Sequence, residues 1–165
     1  MEPVIRLAAV EDAAAIRDIY NQAVATTASF DLRPRSLEDQ RQWLEERSGA
    51  YAAIVAVAED DVAGFASLSP YKERPAYATT VEDSVYVDEA HQGRGLGKLL
   101  LGELLDVAEA HGFHSVIGRI GGHNEASIRL HESFGFRLVG VEREVGRKFN
   151  RWLDVVIMQR VLTDD

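Results

Sequence analysis

The chain of 165 residues is long enough for one domain with a sizeable core, and its 46% hydrophobic and 27% charged residues are ordinary globular values. It contains no cysteine, which excludes disulfides, thiolate metal ligands and a cysteine nucleophile. The formal net charge of -9 argues against nucleic acid or an anionic membrane as a general partner. Because the chain has no apolar run of about 18 residues and no signal-peptide pattern, we expect a cytoplasmic protein with a single domain over residues 1–165.

The N-terminal part predicts a strand, two helices and a β-hairpin. In chain order these cover residues 4–8, 11–25, 36–49, and the two hairpin strands 51–58 and 62–68. Ser36 begins the second helix, and Asp39 three residues later indicates a capping box. The first helix has a weak start, since Ala9 and Val10 stand where a capping side chain is expected.

Two loops in this part carry candidate binding residues. Phe30 lies in the loop over 26–34, where an aromatic side chain either fills the core or lines a pocket. The loop over 71–77 holds Lys72, Glu73 and Arg74. It is either a solvated connection or a clamp for a substrate carboxylate, which arginine can bind through two parallel hydrogen bonds.

Residues 80–98 predict a strand that passes through a glycine-rich turn into a helix. Alternation along the strand places Glu82, Ser84 and Tyr86 on one face and Asp83 on the other. Leucines then recur at helical spacing from Leu96 onward. The three glycines of the turn expose backbone N–H groups at the helix N-terminus. Such a site favours an anion, and phosphate above all.

Three phosphate-binding loops compete to explain this turn. A Walker A loop needs a glycine where Gln92 stands and a hydroxyl residue where Leu99 stands. A Rossmann loop needs a different glycine spacing and an acidic residue at the end of the next strand, which residues 114–120 lack. The third pattern, Gln/Arg-x-x-Gly-x-Gly/Ala, is matched fully by Gln92-Gly93-Arg94-Gly95-Leu96-Gly97. This stretch resembles the pyrophosphate loop of the GNAT superfamily of acyl-CoA N-acyltransferases; a plain helix-capping loop is the alternative.

The C-terminal part predicts one strand over 114–120, one helix, and two final strands over 136–145 and 152–161 joined by a loop over 146–151. Asn124 is the predicted N-cap of the helix. His131 lies on the inner stripe of this helix, and Gly135 ends it. The last strand is strongly apolar, and we expect it to contribute to a contact between subunits.

Acylation of an amine by a thioester requires a base, a polarised carbonyl and a stabilised leaving thiolate. Glu82 is the candidate base, because a partly buried carboxylate has a raised pKa; a structural salt bridge to Arg74 is the alternative. His131 is the second candidate, and a core histidine is its alternative. The strand end Val85-Tyr86-Val87 can hydrogen-bond an amide-bearing arm as an added strand would. No spacing typical of a metal site is present.

Four stretches together resemble one GNAT branch, the phosphinothricin / methionine sulfoximine N-acetyltransferases. They are the strand over 80–87, the Gln92 loop, the helix over 124–132 and the segment over 146–154. The resemblance covers nearly the whole chain. His131 is its most discriminating residue, because most GNAT members carry a tyrosine in this helix.

The resemblance implies an α/β (α+β) GNAT fold, in which a mixed, V-shaped and mostly antiparallel sheet of about six or seven strands is flanked by about four helices. It implies a homodimer, and the net charge argues against nucleic acid and membrane as partners. It further implies direct transfer from acetyl-CoA, as co-substrate, to the α-amine of a small amino acid. This reaction forms no covalent enzyme intermediate and needs no metal.

The resemblance also implies residue roles. Glu82 deprotonates the amine, and His131 assists as an acid/base near the thiol. The implied acetyl-CoA site consists of Val85, Tyr86, Val87, Gln92, Gly93, Arg94, Gly95, Leu96, Gly97, Lys98 and Asn124. The implied amino-acid site consists of Phe30, Lys72, Glu73, Arg74, Glu82, Asp83 and Ser84. The loop over 71–78 varies within the branch, so the preferred amino acid is left open.

The leading hypothesis is therefore a detoxifying enzyme that acetylates glutamate- or methionine-like analogues. One alternative is a GNAT enzyme for another amine, such as a polyamine or a peptide N-terminus. Another is a non-catalytic acetyl-CoA-binding module, against which the presence of both Glu82 and His131 counts. An open acidic groove would favour polyamines or peptides, whereas a closed pocket with a cation would favour an amino-acid carboxylate.

Overall fold

The structure, a computed structural model, describes residues 2–162. Its helices are α1 (Ala13–Val24), α2 (Leu37–Glu45), α3 (Leu96–Ala110) and α4 (Glu125–Ser133). Its strands are β1 (Val4–Leu7), β2 (Ala53–Ala58), β3 (Asp61–Pro70), β4 (Thr80–Val87), β5 (Ser115–Gly121), β6 (Arg137–Lys148) and β7 (Arg151–Val161). They form one seven-stranded sheet in the order β1-β2-β3-β4-β5-β7-β6.

The junction of β4 and β5 is the feature that creates the site. These two strands run parallel, and every other neighbouring pair in the sheet is antiparallel. Their ladder covers only three residue pairs, from Thr80–Ser115 to Glu82–Ile117. Beyond Glu82, β4 continues to Val87 without pairing to β5, so the sheet opens at its centre. The predicted mixed sheet, with seven strands and four helices in the described residues, is confirmed.

The two faces of the sheet carry separate hydrophobic cores, and β4 contributes to both because its side chains alternate. On one face, Val81 packs with Leu100 and Leu104 of α3. On the other face, Tyr86 packs with Phe65 and with the residues of α1 and α2. The predicted division of β4 into a face with Glu82 and Tyr86 and a face with Asp83 is therefore confirmed.

The starts of the first two helices differ in how well they agree with the sequence prediction. The first helix begins at Ala13 instead of residue 11, because Val10–Asp12 forms a 3-10 turn. Asp12 stabilises this 3-10 turn, because its Oδ2 accepts the Ala9 N–H at 2.8 Å while its carboxylate pairs with Arg6. The capping box of α2 is confirmed, since Ser36 Oγ accepts the Asp39 N–H at 3.0 Å. That helix ends at Glu45, earlier than predicted.

The predicted loop over 146–151 is wrong. Strand β6 continues to Lys148 and β7 begins at Arg151, so only Phe149 and Asn150 form the turn. Both turn residues have positive φ, 53° and 58°, as the tight hairpins that match strand twist require. Phenylalanine at such a position gives no turn signal, which is why the sequence suggested a longer loop.

Candidate active site

A cleft of about 880 Å³ opens where β4 and β5 part. Its walls are the part of β4 from Glu82 onward, the glycine-rich turn, the end of β5, one side of α4 and the loop over 28–31. This volume lies within the usual range for small-molecule and cofactor sites. The cleft therefore joins the glycine-rich turn to Glu82 in one continuous space.

The glycine-rich turn has the backbone geometry of an anion site. Gly93 and Gly95 have φ values of 78° and 80°, which side-chain-bearing residues rarely adopt, and Gly95 directly precedes the first residue of α3. The first N–H groups of a helix have no partner within the helix, so those at the start of α3 are free for an anion. Gly97 and Lys98 line the cleft there. A Cβ on Gly97 would lie 3.4 Å from Leu130, so a glycine also suits the close approach of α4.

Most of the predicted acetyl-CoA residues line this part of the cleft. They are Val85, Tyr86, Val87, Gln92, Gly93, Gly95, Leu96, Gly97, Lys98 and Asn124. Arg94 differs, since its side chain points to Glu59 at 3.7 Å and does not line the cleft. Asn124 caps α4 as predicted, with its Oδ1 accepting the Ser127 N–H at 3.2 Å.

Glu82 is half-buried on the face of the sheet that packs against α1. Burial raises the pKa of its carboxyl, the charge of Arg119 lowers it, and the charge of Asp83 raises it, with a net increase above the ordinary 4.5. No salt bridge joins Glu82 to Arg74 within residues 2–162, so the structural alternative considered for Glu82 finds no support. Such a carboxylate is a candidate base.

His131 and Asp83 form a buried pair on the opposite face. The Nε2 of His131 lies 2.8 Å from Asp83 Oδ1, and its Nδ1 lies 2.7 Å from the carbonyl oxygen of Ser127. Because a carbonyl and a carboxylate only accept hydrogen bonds, both ring nitrogens act as donors in the protonated imidazole. Burial lowers the pKa of His131, but the hydrogen bond and charge of Asp83 outweigh it, and the net pKa is raised.

Gly118 makes room for this pair. A Cβ at Gly118 would lie 2.8 Å from the His131 ring and 3.5 Å from Asp83 Oδ2. The edge of the ring also contacts Phe136, with centroids 4.8 Å apart. The imidazole is therefore held in one orientation at the wall of the cleft.

The loop over 28–31 closes the acceptor end. Phe30 lines the cleft, as one of the two predicted alternatives required. Its ring occupies space that only glycines leave open, since a Cβ on Gly121 or Gly146 would lie 2.6 or 2.5 Å from it. Tyr20 donates a hydrogen bond from its hydroxyl to Asp31, which fixes the far end of the loop.

Lys148 anchors the segment that leads into the loop over 28–31. Its Nζ donates to the carbonyl oxygens of Val24, Thr26 and Ser29 at 2.6, 2.7 and 2.7 Å, and the residue is only 6% exposed. Three backbone acceptors satisfy all three N–H groups of the ammonium. Sequence reasoning missed this role because the contacts join residues more than a hundred positions apart.

The structure does not bring Lys72, Glu73 and Arg74 into the cleft. All three are exposed and lie outside its walls, and Lys72 Nζ stacks over the rings of Tyr71 and Tyr77 at 5.0 and 5.4 Å from their centroids. The expectation that this loop clamps the substrate therefore stays a prediction from the sequence. The other predicted substrate residues, Phe30, Glu82, Asp83 and Ser84, do line the cleft.

Arg119 lines the cleft beside Glu82 and was not predicted. Its position near the end of β5 was the available signal, because the carboxyl ends of neighbouring parallel strands meet at the same edge. Within the described residues, no group of three His, Asp or Glu side chains is placed to hold a metal ion. None of the helices in residues 2–162 has the length and apolar character needed to cross a membrane.

Comparison with known proteins agrees with this geometry. Residues 14–136 match the acetyltransferase (GNAT) family, and the chain belongs to that family. It is 43% identical over 163 residues to a phosphinothricin N-acetyltransferase of Streptomyces coelicolor, covering 96% of this chain and 95% of the relative. It is 41% identical over 162 residues to the L-methionine sulfoximine/L-methionine sulfone acetyltransferase of Salmonella typhimurium, covering 97% and 95%.

A solved structure gives the same result for the fold. The crystal structure of a GNAT superfamily phosphinothricin acetyltransferase from Sinorhizobium meliloti in complex with AcCoA superposes with a TM-score of 0.93 at 36% identity, covering 98% of this chain and 89% of that one. The predicted family, fold and enzyme class are therefore confirmed, and the chain is an acetyltransferase.

Proposed function

We propose that the chain transfers an acetyl group from acetyl-CoA directly to the α-amine of a small amino acid or analogue of the phosphinothricin, methionine sulfoximine or methionine sulfone type. The names of its relatives support this acceptor class. The observation that carries the proposal is the cleft, which connects the free amides at the start of α3 to the half-buried Glu82 along an unpaired stretch of β4.

Acetyl-CoA supplies the activated acetyl thioester when it is bound. The residues present fit it. The N–H groups from Gly93 to Lys98 hold the diphosphate, because they are unpaired and lie at the positive end of the α3 dipole. The backbone of Val85-Tyr86-Val87 hydrogen-bonds the amides of the pantetheine arm on the side that β5 leaves open. One N–H of this stretch also polarises the thioester oxygen.

Glu82 removes the proton from the acceptor ammonium, directly or through a water molecule. A carboxylate in water is too weak a base for this task. Burial raises the pKa of Glu82 and so makes it a stronger base. The free amine then attacks the carbonyl carbon, and no residue of the chain is acylated. Asp31, also in the cleft wall, adds negative charge that favours a cationic acceptor group at this end.

His131 assists the departure of the thiolate. Because both ring nitrogens face hydrogen-bond acceptors and Asp83 raises the pKa of the imidazole, the ring is held in its protonated form and acts as a fixed positive charge and not as a base. Asp83 holds the ring in place, and Gly118 gives it room.

Two copies of the chain associate in this proposal. Large apolar side chains are exposed along β6 and the start of β7, a pattern typical of a protein–protein contact. They are Leu138, Val139, Val141, Val145, Phe149 and Trp152. The molecular mass in solution tests this homodimer. A cytoplasmic location and a role in detoxification also stay predictions.

The test is an acetyl-CoA consumption screen, read as thiol release, over methionine sulfoximine, methionine sulfone, phosphinothricin and the natural amino acids. We expect release with at least one of these acceptors. We expect Glu82→Gln to abolish most of it while acetyl-CoA binding, measured by calorimetry, is kept. Glu125→Gln is the matched control, since this side chain is 83% exposed and lies outside the cleft walls. No release with any acceptor, or full activity of Glu82→Gln, would refute the proposal.

A further inference from the structure

A short 3-10 turn, Glu89–His91, lies between the end of β4 and the glycine-rich turn. The His91 N–H donates to the carbonyl oxygen of Asp88 at 2.9 Å, and the Asp88 N–H donates to Ala63 in β3 at 2.8 Å. A turn of three residues has little stability of its own. Because Gln92 follows it directly, the position of this turn decides where the backbone amides of the glycine-rich turn lie.

Gln22 of α1 holds the 3-10 turn with both ends of its side-chain amide. Its Nε2 donates to Asp88 Oδ1 at 2.7 Å, and its Oε1 accepts the Glu89 N–H at 2.9 Å. The nitrogen of an amide only donates and its oxygen only accepts, so these two bonds also fix the orientation of the amide. One side chain, 66 positions away from Asp88 in sequence, therefore satisfies two neighbouring groups of the turn.

Asp88 extends this contact to the wall of the cleft. Its second oxygen, Oδ2, accepts a hydrogen bond from Nδ1 of His91 at 2.8 Å, and His91 lines the cleft together with Gln92 and Gly93. The hydrogen bonds from Gln22 and His91 lower the pKa of Asp88, which keeps its carboxylate ionised and able to accept both. A continuous chain of hydrogen bonds thus joins α1 to the start of the glycine-rich turn.

The fold does not depend on this contact to hold α1 in place. The helix packs through Ile16, Ile19, Tyr20 and Val24, which are at most 6% exposed, whereas Gln22 is only partly buried. Removing the amide of Gln22 leaves that hydrophobic packing intact. The side chain of Gln22 therefore acts mainly on the turn that it holds.

We propose that Gln22 is a positioning residue for acetyl-CoA: through Asp88 it holds the glycine-rich turn in the conformation that the diphosphate requires. This assignment rests on the proposed place of the diphosphate on the N–H groups from Gly93 to Lys98. A turn that is already held in its bound conformation loses less conformational freedom when an anion binds, and the smaller entropy loss gives a higher affinity. Gln22 touches no reacting atom, so it changes the affinity for acetyl-CoA and not the chemical step.

Calorimetry with coenzyme A and steady-state kinetics with methionine sulfone test this role. For Gln22→Ala we expect the Kd for coenzyme A and the KM for acetyl-CoA to rise about 3- to 20-fold, the equivalent of one or two lost hydrogen bonds. We expect kcat and the KM for methionine sulfone to change less than about 2-fold, because only ligand binding is weakened. Gln42→Ala is the matched control, since the amide of this exposed glutamine donates to Glu46 on the far side of α2 from any cleft wall and its loss changes none of these constants.

A double variant exchanges the donor and the acceptor of the contact. Gln22→Glu alone brings a second carboxylate against Asp88, and we expect it to weaken coenzyme A binding at least as much as Gln22→Ala does. In Gln22→Glu/Asp88→Asn the carboxylate and the amide change places, so each hydrogen bond of the chain forms again with donor and acceptor reversed. We expect the Kd for coenzyme A to return to within about 3-fold of the wild-type value.

Four results would overturn the assignment of Gln22. They are an unchanged Kd for coenzyme A in Gln22→Ala, no recovery of binding in the double variant, a fall in kcat with an unchanged KM for acetyl-CoA, and an equal rise in both KM values. A midpoint of thermal unfolding more than about 4 °C below that of the wild type in Gln22→Ala would also overturn it, because the contact would then serve the fold. If the wild type binds coenzyme A but acetylates no acceptor, the proposed function fails while the calorimetric comparison still decides the role of Gln22.

Discussion

The buried pair of Asp83 and His131 gives the most direct test of how the cleft wall is stabilised. The two side chains are 2% and 3% exposed, and Nε2 lies 2.8 Å from Oδ1. Asp83→Ala leaves the buried imidazole without its charged partner. Removing one member of a buried ion pair costs about 3–5 kcal/mol of the free energy of unfolding. Asp83→Asn keeps the volume and offers a neutral hydrogen bond, so we expect a smaller cost of about 1–3 kcal/mol.

The pH dependence of this cost has a defined sign. The pKa of His131 is raised in the folded state, so its contribution to stability is fully present below the ordinary histidine pKa of 6.5 and is lost as pH rises through the folded-state pKa. In Asp83→Asn the negative charge that raises the pKa of His131 is removed, whereas the burial that lowers this pKa is kept. The stability difference between the wild type and Asp83→Asn is therefore largest at acidic pH and narrows at alkaline pH.

Urea unfolding of the wild type and both variants measures this difference, about one pH unit below and two units above the ordinary histidine pKa. His123→Asn is the control, because His123 pairs with Asp154 with its side chain 60% exposed, and asparagine tolerates its positive φ. We expect this control to cost at most about 1 kcal/mol. The reasoning is refuted if Asp83→Asn loses less free energy of unfolding than the control does, or if its loss grows with rising pH. Either result would show that the pair does not hold a buried charge.

Three further predictions concern the same cleft. Glu82→Gln lowers kcat at least about 100-fold. In the wild type, kcat/KM falls on the acid side of its pH profile at a pH above the ordinary glutamate pKa, because burial raises the pKa of Glu82. A fall that begins only at or below the ordinary glutamate pKa contradicts the assignment. Gly118→Ala lowers the free energy of unfolding by about 1–3 kcal/mol, measured by thermal unfolding, because its Cβ would lie 2.8 Å from the His131 ring. Gly140→Ala is the control and has no comparable effect, since a Cβ there meets nothing within 4 Å. Equal effects of the two substitutions would refute the close contact. Lys148→Met removes the hydrogen bonds that hold the loop over 28–31. In steady-state kinetics we expect KM for the acceptor to rise while KM for acetyl-CoA is unchanged. A parallel rise in both KM values would contradict a local role of Lys148.

Local rules in the sequence predicted the backbone conformation along one wall of the cleft. The turn over 92–97 is set by glycines whose conformations follow from their lack of a side chain, and the alternation of Glu82 and Asp83 follows from strand geometry. Both predictions needed only neighbouring residues. The cap of α4 by Asn124 is of the same kind.

The side-chain pairs of the site lay outside the reach of such rules. Asp83 and His131 are 48 positions apart, and Lys148 reaches carbonyls 119 to 124 positions away. Such contacts depend on strand order and register, which pattern reasoning does not fix. Arg119 was not predicted as a residue of the cleft for the same reason, because it is near Glu82 only once β4 and β5 pair.

A crystal structure with coenzyme A and methionine sulfone tests the central claim most directly. The account predicts the diphosphate on the N–H groups of Gly93 to Lys98, and the acceptor amine within about 2.6–3.2 Å of the Glu82 carboxylate or one water molecule away from it. Coenzyme A bound outside the gap between β4 and β5, or an acceptor amine directed away from Glu82, would contradict it.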